Sequence, residues 1–247
     1  MGLRDHLTRR VAAKTLLAAG GAAATVGPRV AWAHVYVDRS DPPSGVVEAL
    51  PAQLAVTFSG PLDRGSGIRL LDASGTDVVG VSGGIDPTDR TRLVATVPEC
   101  PAGAYTVAWV AVSAEDGHAA PGFYGVLVGG AVPLLGGADP TLVDGRVEGL
   151  DVSVIPSLLA DGGVSWTVLT VGPTAAAVQR VSLTFTPPVA ALGAIQVTTM
   201  VNEAGIRSAQ WLPTIAGEWR IEVIVRRVGM SDDVRQRYRW EAVASTT

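Results

Sequence analysis

The sequence is poor in residues that cross-link a fold, bind soft metals or cross a membrane. One cysteine, Cys100, stands among 247 residues, so no internal disulfide can form. Without one, the fold rests on its apolar core. Sulfur ligands are equally scarce: after Met1, only Met200 and Met230 accompany Cys100. Lysine occurs once, at Lys14, and histidine three times, at His6, His34 and His118. After residue 33 no segment reaches the roughly 18 apolar residues of a membrane-crossing helix, so the rest reads as soluble. Long helical periodicity is missing there too. No basic patch remains, which excludes a nucleic-acid-binding surface.

The first 33 residues carry most of what the remainder lacks. Arg4, Arg9, Arg10 and Lys14 precede an apolar stretch from Leu16 to Val26. Ala31-Trp32-Ala33 follows, a small-residue cleavage site. Thr8-Arg9-Arg10-Val11-Ala12-Ala13-Lys14 is similar to a twin-arginine signal. Residues 1–33 are therefore expected to be an export signal, and the mature protein to be periplasmic or otherwise extracytoplasmic. Removing them takes away five basic residues and one acidic residue, which shifts the formal charge from −4 to −8. Such a charge favours solubility and attracts cations.

The remaining length suits two domains of about 100 residues each. Its 29 glycines and 16 prolines punctuate short apolar runs, the pattern of an all-β chain. Leu54, Val56 and Phe58 alternate with Ala55 and Thr57, as in a half-buried strand. Further strands are predicted at 35–38, 68–71, 92–97, 105–112 and 123–128. A second set is predicted at 149–155, 165–170, 180–185, 195–200, 208–212, 219–226 and 237–244. Turn signals between them suit two Greek-key, immunoglobulin-like β-sandwiches in tandem. The expected domains are 34–129 and 148–247, with the Gly- and Pro-rich segment 130–147 as linker. Trp166, Trp211, Trp219 and Trp240 are the expected anchors of the second core.

Cleavage after Ala33 gives His34 a free α-amino group. Such a residue binds one metal ion through its amine nitrogen and ring Nδ1. The other mature histidine lies in Ala114-Glu115-Asp116-Gly117-His118. If that segment is extended, Asp116 and His118 project from one face, and Gly117 permits an unusual backbone between them. Three nitrogens and one oxygen favour Cu(II). The expected metal ligands are thus His34, Asp116 and His118. Each has an ordinary reading as well: Asp-Gly is a common turn signal, and a lone histidine is usually a surface residue.

The chain resembles the CopC family of periplasmic copper-binding proteins over about residues 34–129. The resemblance rests on Ala33-His34, Arg39-Ser40-Asp41-Pro42-Pro43-Ser44-Gly45, Leu54 to Ser59, Ile68 to Asp72, Gly103 to Trp109 and Val112 to His118. It implies a small β-sandwich that holds one Cu(II) through the corresponding His34, Asp116 and His118, an arrangement called a histidine brace. It also implies copper storage, resistance or delivery without catalysis. Many members carry an acidic residue where this chain has Gly60, which bears on how the ligands are tuned. Residues 148–245 are similar to the YtkA-like β-domain of fused CopC–CopD transport proteins, through Val181 to Pro188 and Gly217 to Arg227. The partners implied are a CopD-type membrane transporter or a cuproenzyme. Two other readings stay open: a brace copper oxidase or oxygenase, and a structural sandwich pair without metal.

Overall fold

The computed structural model describes residues 35–203 and 205–243; the segment 1–33 read as an export signal, and His34, lie outside the described residues. The described chain is all-β. It has seventeen strands and two short 3-10 turns, at Ala175–Ala177 and Ala190–Leu192. No described helix is long and apolar enough to cross a membrane.

Eight strands form the first sandwich: β1 (Val37–Asp41), β2 (Gly45–Val47), β3 (Gln53–Phe58), β4 (Gly67–Leu71), β5 (Ser82–Asp86), β6 (Asp89–Thr96), β7 (Gly103–Val112) and β8 (Ala119–Val128). One sheet runs β1-β3-β6-β5 and the other β2-β8-β7-β4. Alternating residues of the two sheets meet between them: Leu54, Val56 and Phe58, then Leu93 and Ala95, then Tyr105 and Val107, then Val126 and Val128. Burying each large apolar side chain contributes about 1.5–3 kcal/mol.

The second sandwich follows as β9 (Thr141–Asp144), β10 (Asp151–Leu158), β11 (Val164–Val171), β12 (Val178–Thr186), β13 (Ile195–Thr198), β14 (Met200–Val201), β15 (Arg207–Gln210), β16 (Gly217–Arg227) and β17 (Val234–Ala242). Its sheets run β10-β11-β15-β14 and β13-β12-β16-β17-β9. Pro156 sits in β10, an edge strand, where its missing N–H is tolerated. Trp166, Trp219 and Trp240 are buried, and partly buried Trp211 stacks on Phe185 with ring centroids 4.4 Å apart.

Two expectations need correction here. Residues 130–147 are not a plain linker: β9 pairs with β17, and Leu134 is buried in the second core. Tertiary pairing recruits the Thr141–Asp144 segment although its Gly- and Pro-rich surroundings signal a loop. β2 and β5 were also absent from the expected strands. Ser82–Asp86 contains two glycines, which disfavour a strand on propensity. At Gly83, however, an added Cβ would lie 2.6 Å from Ala95 Cβ and from the Val94 carbonyl, so the neighbouring strand demands the glycine.

The sandwiches share a core. Leu71, Ala104, Ala108, Phe123 and Leu127 turn away from the first interior and join the second sandwich's apolar cluster. The β2-β8-β7-β4 sheet is thereby covered on both faces, and Ala104 to Ala108 are all buried in succession. Backbones come close enough that a Cβ on Gly125 would sit 2.6 Å from the Leu212 carbonyl.

Candidate metal-binding turn

Asp116 and His118 lie in the connection between β7 and β8. The segment is a tight turn, not the extended run expected from the sequence. Ser113 N–H donates to the His118 carbonyl at 3.0 Å, and Gly117 N–H donates to the Ser113 carbonyl at 2.9 Å. Gly117 has φ +70°, a left-handed conformation that costs other residues about 1–2 kcal/mol. Asp116 stabilises the turn locally, its Oδ1 accepting the His118 N–H at 3.0 Å. Both side chains are exposed, so a metal ion can reach them from solvent. The turn places Asp116 and His118 two residues apart on a curled segment, not on an alternating strand.

The turn is anchored on the loop after β3. Ala114 N–H donates to the Pro61 carbonyl at 3.0 Å, and Leu62 and Ser113 form an isolated bridge. The same loop holds the start of the described chain. Ser59 N–H donates to the Tyr36 carbonyl at 2.9 Å, and Tyr36 N–H donates to Ser59 Oγ at 3.1 Å. Residues 59–61 therefore lie between Tyr36 and the Asp-Gly-His turn. A Cβ on Gly60 would meet Val35 Cγ1 at 3.4 Å, an ordinary contact. Among the described residues no group of three or more His, Cys, Asp or Glu side chains is gathered for a metal. His34, the third expected ligand, lies outside them.

The sulfur atoms are dispersed. Met200 is 76% exposed on β14, and Met230 lies in the β16–β17 turn. Cys100 is partly buried and its Sγ lies 3.4 Å from the Pro98 carbonyl. Burial pushes its thiol pKa up, which disfavours the reactive thiolate.

A family model described as the CopC domain matches residues 37–127. Comparison with curated proteins gave no match. Among solved structures the chain is similar to CopC from Methylosinus trichosporium OB3b, with 30% identity and a TM-score of 0.35 over 38% of this chain and 93% of that one. It is also similar to PcoC, a methionine-rich copper resistance protein from Escherichia coli, with 29% identity and a TM-score of 0.35 over 38% of this chain and 98% of that one.

Proposed function

Residues 37–127 carry a CopC domain, and from that premise we propose that the chain is an exported Cu(II)-binding protein. It holds one Cu(II) through the amine and ring of His34, the Asp116 carboxylate and the His118 imidazole. One observation carries this reading: residues 59–61 contact Tyr36 on one side and Ala114 on the other. His34 stands two residues before Tyr36 in the sequence, and the link from Tyr36 through residues 59–61 to Ala114 supports a site shared with Asp116 and His118. Nitrogen and carboxylate donors suit Cu(II), and the scattered sulfur atoms offer no competing Cu(I) cluster.

The chemistry is chelation. A deprotonated amine and a neutral imidazole bind the metal, so acidification releases it. The role is extracytoplasmic storage, resistance or delivery, with a CopD-type membrane transporter or a cuproenzyme as recipient. The second sandwich has no histidine and serves as a docking domain or a spacer.

The test compares mature protein beginning at His34 with a version carrying one extra glycine before it. Calorimetric titration of the first should show one tight Cu(II) per chain, with nitrogen hyperfine structure in the electron paramagnetic resonance spectrum. The extended version should bind far more weakly. Equal affinities would overturn the proposal.

A further inference from the structure

The outer face of the first sandwich carries a second polar constellation. Strand register sets Arg39 of β1 opposite Thr57 of β3, and Thr57 opposite Arg92 of β6. Val56 and Phe58, either side of Thr57, point into the core, as does Leu93 beside Arg92. The row Arg39-Thr57-Arg92 therefore faces outward on one side of the sheet. It lines a cavity of about 350 Å³ together with Asp41.

Two arginines flank a hydroxyl, one on each neighbouring strand of β3. Arg92 is only partly engaged: its Nη1 donates to Asp86 Oδ2 at 3.2 Å, while its Nε is buried without a hydrogen-bond partner. The same chain shows a filled fork elsewhere. Arg69 donates Nε and Nη2 to the two Asp77 oxygens, each at 2.8 Å. The Arg92 side chain is 31% exposed and lines the cavity. Among the described residues Arg39 has no ion pair.

The geometry points to a binding site for a small hydroxycarboxylate. Its carboxylate bridges Arg39 and Arg92, with the Thr57 hydroxyl as a further donor, and planar forks favour this group. Asp41, on the same cavity wall, accepts the ligand's hydroxyl. Asp41 and Asp86 together offset the two arginines, so a singly charged ligand is favoured over a dianion such as phosphate. The site does not depend on copper.

The test follows the Arg92 Nε–H resonance by nitrogen-15 NMR in the full chain without metal, titrated separately with glycolate and inorganic phosphate. Glycolate should give a saturable shift at lower concentration than phosphate. Arg39→Gln and Thr57→Val should each weaken glycolate binding about tenfold, the worth of a charge-assisted hydrogen bond. Thermal denaturation verifies that each variant folds. No saturable shift with glycolate, tighter binding of phosphate, or unchanged glycolate affinity in folded Arg39→Gln would each overturn the proposal.

Discussion

Thr106 and Thr214 meet hydroxyl to hydroxyl at 2.6 Å, fully buried and 108 residues apart. One belongs to β7 of the first sandwich and the other to the loop before β16 of the second. A polar pair at such depth is stable only because each group satisfies the other. Replacing one by valine leaves the other hydroxyl orphaned, at a cost of about 1–3 kcal/mol. Thr106→Val and Thr214→Val should each show this loss in chemical denaturation. The double variant should lose less than the sum of the two. Strict additivity would mean that the bond contributes nothing across the interface.

The shared core predicts cooperative unfolding. Calorimetry of the chain should show one main transition, not two. Gly125→Val forces a side chain into the Leu212 carbonyl and the Thr214 side chain, so it should separate the transitions and lower stability by about 1–3 kcal/mol. Two well-resolved transitions in the unaltered protein would contradict the shared core.

Asp116 has two separable jobs, closing the turn and offering a carboxylate. Asp116→Asn keeps an oxygen that accepts the His118 N–H but removes the charge. It should leave stability within about 0.5 kcal/mol while weakening Cu(II) binding. Asp116→Ala should do both kinds of damage. Cu(II) titration and thermal unfolding, read together, distinguish them.

Gly60 can be tested in the opposite direction. A Cβ there makes only an ordinary contact, so Gly60→Asp should fold normally. A carboxylate beside Val35 should orient the N-terminal ligand and tighten Cu(II) binding by about tenfold. A competition titration with a chelator of known affinity measures the change.

Alkaline pH should destabilise the fold through two tyrosines. Burial pushes Tyr124 and Tyr238 up to about 12, with Tyr124 Oη donating to the Pro42 carbonyl and Tyr238 Oη to the Val152 carbonyl. A raised folded pKa means that the folded state holds the proton more tightly than the unfolded chain. Stability is thus fully present below about pH 10, the ordinary tyrosine value, and falls as pH rises toward about 12. Phenylalanine at either position should flatten that decline in pH-dependent denaturation curves.

Much of the architecture was legible from local pattern. The alternation over Gln53–Phe58 coincides with β3, and three of the four tryptophans named as core anchors are buried, with Trp211 packed against them. Asp116-Gly117 announced a turn through the glycine's access to positive φ. The same signal argues against the extended geometry also considered for Asp116 and His118, because a residue at φ +70° breaks strand alternation. β2, β5 and β9 were hidden because short or glycine-bearing segments become strands only when a partner strand pairs with them.

Composition and order along the chain were enough to exclude disulfides, to set the strand-rich class and to single out His34, Asp116 and His118, since each depends on which residues exist and how closely they follow one another. Only the tertiary structure could put residues 59–61 between Tyr36 and Ala114, cover the β2-β8-β7-β4 sheet on both faces, and align Arg39 with Arg92 across Thr57. Those relationships join segments tens of residues apart, and strand register and close packing, not neighbouring sequence, decide them.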